Sequence, residues 1–173
     1  TGAFGKEAYI LTGYFNLPKV LEITLNNGFD PVSGLRLGIQ TGDPKGFSSF
    51  DELFDAYSRQ LHHFIDIKVQ GNHMIEKLYA TRMPVPFLSV CVDDCIQTGL
   101  DYNAGGARYN TSYIQGVGIG TLTDSLAAIQ YNIFDNQRFT MAELLAALQD
   151  NFVGHDRLHH WVCEKTPKYG NDD

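Results

Sequence analysis

Apolar positions recur at three- and four-residue spacing in several stretches of the chain, the periodicity of an amphipathic helix. Leu17, Val20, Leu21 and Leu25 share one such face; Asn16 stands before them as a side-chain cap, and Gly28 after Asn27 supplies a left-handed stop. A much longer pattern runs through Phe50, Leu53, Tyr57, Leu61, Phe64, Ile75, Leu78 and Tyr79 until Met83 and Pro84 break it. Ser49 and Glu52 have capping-box spacing at its start, so the pattern predicts a helix of about thirty residues, well above the usual length. Thr140 and Glu143 repeat that spacing ahead of Leu144, Leu145 and Leu148, and a last short helix is expected over roughly 156–164.

Between these helices the pattern changes. Tyr109 to Ile119 is rich in the β-branched and aromatic residues that strands favour; a Gly105-Gly106 turn precedes it, and Gly116, Gly118 and Gly120 break it. Thr121, three residues before Asp124, is placed to cap a following helix that carries Leu126, Ala127, Ile129 and Ile133. Arg108, Tyr109 and Asn110 stand at the strand entrance where a plain core strand would carry Val or Ile, which suggests close packing against this backbone. Residues 28–47 read as a loop or hairpin holding one short strand, Leu35 to Ile39. Phe87 to Ile96 is a second apolar run with Cys91 and Cys95, stopped at Thr98-Gly99. The opening stretch, Thr1 to Phe15, mixes Gly2, Gly5 and Gly13 with Phe4, Tyr9, Tyr14 and Phe15, and reads as irregular and mostly buried.

Composition narrows the class. The 173 residues are 43% hydrophobic and 19% charged, ordinary for a globular α/β chain with one substantial core. A net charge of -7 and a pI near 5.2, with no basic run, argue against nucleic acid or an anionic membrane surface as partner. Three cysteines leave one unpaired in any disulfide scheme, so a reducing cytoplasm is the simpler compartment. There is no apolar run of bilayer length and no signal segment. No repeat or interdomain linker is visible, and the chain opens on Thr1 rather than Met, so it is expected to be an internal piece of something longer.

The candidate chemistry is sparse. Cys91 and Cys95, four apart with Asp93 and Asp94 beside them, could face a metal, but two thiolates without a second pair rarely do, and core packing is the preferred reading. His155 and His159 have the one-turn spacing of a zinc helix, yet Asp156 stands where the motif requires Glu and no third ligand follows; solvated histidines are the preferred reading. Gly116, Gly118 and Gly120 fail the dinucleotide fingerprint, because the third glycine comes too early and no acidic residue follows at the required distance. They are read instead as letting two backbones pack. Tyr14 and Tyr169 sit in glycine-flanked segments from which a phenol could reach a pocket, although most tyrosines serve as core.

Three long strings carry a resemblance: DYNAGGARYNTSYIQGVGIGTLTDSLAAI from Asp101, MPVPFLSVCVDDC from Met83 and TPKYGNDD from Thr166. With TGAFGKEAYILTGYFNLPKVLEITLNNG at the start, the whole chain resembles the pyruvate formate-lyase-like glycyl radical enzymes, and among them the dehydratases acting on trans-4-hydroxy-L-proline. The resemblance implies that residues 1–173 are an internal portion of one such domain, an α/β barrel of two facing half-barrels of strands wrapped by helices. It also implies a catalytic Gly-Cys-x-Glu loop and a loop bearing the radical glycine. The resemblance places neither in this chain, since Thr1 to Gly5 resembles the residues just after the cysteine loop and Asp173 falls before the glycyl loop; none of Cys91, Cys95 and Cys163 has the catalytic cysteine's flanks. Tyr14 and Tyr169 resemble pocket residues that contact substrate. The implied reaction is radical elimination of water giving 1-pyrroline-5-carboxylate, with the glycyl radical installed by a radical S-adenosylmethionine activating enzyme and no metal in this chain. The parent protein is expected to be a cytoplasmic homodimer of anaerobic metabolism that binds a small-molecule substrate, and the piece alone to be inactive. A glycerol or diol dehydratase, a formate acetyltransferase-like member, and a catalytically silent binding module are the alternatives.

Overall fold

The computed structural model describes residues 5–171, which form two compact units. Of these residues, one unit draws on 5–15 and 65–116, the other on 16–64 and 117–171. Strand β1 (Glu7–Asn16) is followed by α1 (Leu17–Leu25), the short strands β2 (Phe29–Asp30) and β3 (Leu35–Arg36), and the long helix α2 (Phe50–Arg82). Then come α3 (Pro86–Ser89), α4 (Asp93–Thr98), β4 (Tyr109–Val117), α5 (Ile119–Ile129) with a π-helical turn at Gln130–Asp135, α6 (Met141–Gln149) and α7 (Asp156–Glu164).

The first unit is built on the pairing of β1 with β4. Tyr109 N–H donates to the Lys6 carbonyl, Thr111 Oγ1 to the Ala8 carbonyl and Thr12 Oγ1 to the Tyr113 carbonyl, so contacts advance in the same sense along both strands, as in a parallel pair. Ala8, Val92, Cys95 and Ala107 form its small core, with Tyr102 packed against them. Gly106 belongs to this core for steric reasons: a Cβ there would lie 2.2 Å from the Leu100 carbonyl oxygen and 2.7 Å from the Cys95 sulfur. The close packing expected at Arg108, Tyr109 and Asn110 is not found there: these residues are exposed, and the tight contact lies at Gly106, before the strand.

In the second unit, α1 packs on α5. Asn16 caps α1 by accepting from the Lys19 N–H, and Val20, Leu21, Ile23 and Leu25 of α1 are buried, as are Leu53, Leu122, Ile129, Met141 and Leu144. Removing a side chain such as the fully buried Leu53 from water is worth about 2 kcal/mol. The β2–β3 hairpin pairs Phe29 with Arg36 and Asp30 with Leu35, and Gly28 (φ +87°) lies so close to the following loop that a Cβ would sit 2.4 Å from the Ile39 carbonyl oxygen. The capping box at Thr140–Glu143 forms in both directions, and the final helix spans the expected Asp156–Glu164.

Several sequence expectations are corrected. Glu7–Asn16 is a strand, not an irregular buried segment; most of its residues are at least partly exposed, and residues 1–4 lie outside the described ones. Helix α5 starts at Ile119, behind Gly118 in the left-handed conformation (φ +82°), so Thr121 lies inside it and does not cap it. Of the three glycines there, Gly118 alone is shown in tight contact, its Cβ position falling 2.6 Å from Pro18 Cδ, whereas Gly120 faces open space. At the start of α2, Ser49 Oγ accepts from the Glu52 N–H, but the Glu52 carboxylate returns to Ser48 N (2.7 Å) and Oγ (3.0 Å). Cys95 is buried as expected and Cys91 is exposed, because the apolar run breaks into two short helices with Cys91 in the turn between them. The exposed apolar residues of α2 include Phe54, Ile65, Ile67, Val69, Met74 and Leu78, whereas Phe64 and Ile75 are half-buried.

Candidate functional site

Strand β1 is the element that carries Tyr14, and it is held in place by neighbours on three sides. Tyr102 OH accepts from the Tyr9 N–H at 2.6 Å and lies 3.2 Å from the Tyr9 carbonyl, and the Tyr9 and Tyr113 rings stack at 4.1 Å between centroids. On the α2 side, Lys68 Nζ donates to the Thr12 carbonyl at 2.8 Å. Gly13 follows with φ +145°, and a Cβ on it would lie 2.7 Å from Lys68 Nζ. Tyr14 comes next with its side chain 66% exposed. The phenol is therefore presented by a strand in which Thr12, two residues earlier, is anchored at both its carbonyl and its hydroxyl.

Asp101 organises the loop that supports this strand. Its carboxylate accepts from Val85 N (2.8 Å), Ser89 Oγ (2.9 Å) and Asn103 N (2.9 Å), and Ser89 Oγ in turn accepts from Tyr102 N. Burial pushes the Asp101 carboxyl up, but these donors outweigh it and hold the group below the usual carboxylate range. The same carboxylate, with Asp94, adds to the burial that pushes the Cys95 thiol up, which makes Cys95 a poor nucleophile. Arg108 pairs with Asp94 at 2.9 Å, a contact that raises the guanidinium further above its ordinary value. An open cavity of about 400 Å³ lies between Ala8 and Ile10 of β1, His73, Glu76, Lys77 and Ala80 of α2, and the Tyr102–Gly105 and Asn110–Ser112 segments. Within it Ser112 Oγ donates to Glu76.

In the second unit, Tyr169 stands in the turn after α7, 76% exposed, with its N–H bonded to Asp124 Oδ1 at 2.8 Å. That bond takes up the carboxylate which the sequence suggested for the start of α5. Tyr14 and Tyr169 belong to different units, and neither lines the cavities described. A wide groove in the second unit runs between α1, α5 and α6, with Pro18, Leu21, Ile129, Phe139 and Phe152 in its walls. Nearby, Arg138 lies 4.0 Å over the Trp161 ring and donates to the Oδ1 of the fully buried Asn132. His155 bonds Asp150, His159 approaches Cys163 Sγ at 3.4 Å, and no group of three His, Cys, Asp or Glu among the described residues could hold a metal ion.

Sequence reasoning assigned no role to Lys68 or Asp101. Asp101 carries a local signal, an acidic residue two before Asn103 that suits an Asx turn. Lys68 carries none, because its partner is a main-chain carbonyl far away in the sequence.

A profile of the pyruvate formate lyase-like family matches residues 1–173, and the chain belongs to that family. It is 61% identical over 173 residues to trans-4-hydroxy-L-proline dehydratase of Clostridioides difficile, an alignment covering 100% of this chain and 22% of that enzyme. It is 37% identical over 161 residues to (2S)-3-sulfopropanediol dehydratase of Klebsiella oxytoca, covering 92% of this chain and 20% of that enzyme. The crystal structure of the C. difficile hydroxyproline dehydratase with trans-4-hydroxy-L-proline bound superposes with a TM-score of 0.96, at 61% identity, over 100% of this chain and 22% of that one. The glycerol-bound B12-independent glycerol dehydratase of Clostridium butyricum superposes at 0.86, with 35% identity over 98% of this chain and 21% of that one. The α/β architecture is thus that of glycyl radical enzymes, and the chain spans about a fifth of their length.

Proposed function

We propose that this chain is part of a trans-4-hydroxy-L-proline dehydratase, a carbon-oxygen lyase that eliminates water to give 1-pyrroline-5-carboxylate. The observation that carries this reading is the step in identity, from 61% with the hydroxyproline enzyme over all 173 residues to 37% with the sulfopropanediol enzyme. In this reading the two units are parts of one domain. A glycyl radical, installed by a radical S-adenosylmethionine activating enzyme, supplies the hydrogen abstraction that starts the reaction in the intact protein. The residues of this chain bind and orient.

Tyr14 has a phenol that can donate to or accept from a hydroxylated ring, and its aromatic body keeps water away from the reacting carbon. Tyr169 is assigned a second contact with substrate on the same chemical grounds. The intact protein is read as a cytoplasmic homodimer; for the described residues, no helix is long and apolar enough to cross a membrane.

The test uses the intact protein co-expressed with its activating enzyme without oxygen. Electron paramagnetic resonance should show a glycyl radical, and trans-4-hydroxy-L-proline should be turned over in preference to glycerol. A radical without hydroxyproline turnover would overturn the substrate; no radical at all would favour a silent binding module.

A further inference from the structure

We propose that Lys68 is a positioning residue for substrate recognition, acting through the Thr12–Gly13 peptide to fix the direction from which β1 presents Tyr14. This rests on the reading of Tyr14 as a pocket residue. Lys68 is half-buried on α2, and among the described residues it forms no ion pair; its ammonium is spent on one main-chain carbonyl, that of Thr12, at 2.8 Å. A charged donor makes a stronger bond to a carbonyl than a neutral one does, and it fixes the plane of the peptide that follows.

The next residue is shaped around that ammonium. Gly13 adopts φ +145°, a conformation that side chains rarely take, and its Cβ position falls 2.7 Å from Lys68 Nζ and 3.4 Å from Cε. Lysine and glycine thus occupy one space. Thr12 is also tied to β4, its Oγ1 donating to the Tyr113 carbonyl at 3.0 Å. With residue 12 held from both α2 and β4, the backbone that enters Tyr14 has little freedom left, while Tyr14 itself stays exposed. Misplacing a contact group by about 1 Å can lower turnover by about 100-fold, so an anchor at this peptide bears directly on the reaction.

The experiment is a double-mutant cycle on the activated full-length protein, with Lys68→Met, Tyr14→Phe and the pair. Radical content from electron paramagnetic resonance normalises the kinetics. The expected result is that Lys68→Met lowers kcat/KM by about 10-fold or more, within the range for a displaced contact. It should divide the loss between kcat and KM as Tyr14→Phe does, and the double variant should be no worse than the weaker single one. Lys68→Arg, which keeps a charged donor, should recover most of the loss. If the Met variant does not fold, Lys68→Gln, which keeps an N–H donor, takes its place in the cycle. Additive losses, or wild-type kinetics for the Lys68 variant, overturn the positioning role and leave the Tyr14 reading standing. Wild-type kinetics for Tyr14→Phe alone overturns both.

Discussion

Gln60 and Ile39 hold each other by both ends of one amide: Ile39 N–H donates to Oε1 at 2.9 Å, and Nε2 donates to the Ile39 carbonyl at 2.6 Å. The Gln60 side chain is fully buried, so α2 uses a polar side chain in its core face to satisfy a peptide that has no strand partner there. Gly38 makes this possible, since a Cβ on it would lie 2.4 Å from Gln60 Oε1. Gln60→Leu keeps the bulk and strands both Ile39 groups, and should destabilise the protein by about 2–4 kcal/mol, read as a lower urea midpoint. A midpoint equal to the wild type would mean that water reaches this peptide.

Lys19 reaches both Glu22 and Asp30, and the Lys19 ammonium, the largest cause, together with donors from Ser33 and Val32 to the Asp30 carboxylate, holds that carboxyl far below the usual carboxylate range. The sign follows from the depressed value: the stabilisation is complete above the ordinary carboxylate pKa of about 4 and is lost as pH falls toward the folded value. Thermal midpoints measured at pH 7 and pH 3 should therefore differ more for the wild type than for Asp30→Asn. An equal pH dependence in the two proteins would remove this pair from the acid response.

Gly106→Ala puts a methyl group where the Leu100 carbonyl and the Cys95 sulfur already stand. Overpacking of that kind costs about 1–3 kcal/mol, and the loss should appear as faster amide exchange around α4 and the entrance of β4. Gly105→Ala is the contrasting variant, since open space surrounds its Cβ position and its strain is purely that of φ +83°.

The three cysteines should differ in labelling. Cys91 and Cys163 are exposed, while Cys95 is buried with its thiol pushed up by desolvation and by Asp101 and Asp94. Alkylation followed by mass spectrometry should modify Cys91 and Cys163 in the folded protein and Cys95 only after denaturant is added. Early labelling of Cys95 would show that the core of Ala8, Val92 and Ala107 opens readily.

Helix ends were legible wherever the cap bonds within its own turn. Asn16 with Lys19 and Thr140 with Glu143 both lie in short windows of sequence. Strand β1 was not, because aromatic and apolar residues fall on both of its faces and its partner β4 lies far along the chain. Thr121 and Asp124 had capping spacing, but left-handed Gly118 had already opened α5, and Asp124 serves the Tyr169 N–H instead. Of the candidate site, Tyr14 and Tyr169 came from resemblance rather than from spacing, whereas the anchor at Lys68 is visible only once α2 and β1 are folded together.

The π-helical turn at Gln130–Asp135 widens the helix that carries Asn132, whose side chain bonds the Ala128 carbonyl, Thr166 and Arg138. Turns of this kind hold one residue more than an α-helical turn. A one-residue deletion there would restore ordinary winding with the flanking turns still in phase, so what is lost is the widened turn that brings Asn132 to Thr166 and Arg138. In comparing genes of this family, a single-codon gap inside this helix is therefore a change of core rather than a harmless length variant, unlike a gap in the surface turn around Ser33 and Gly34.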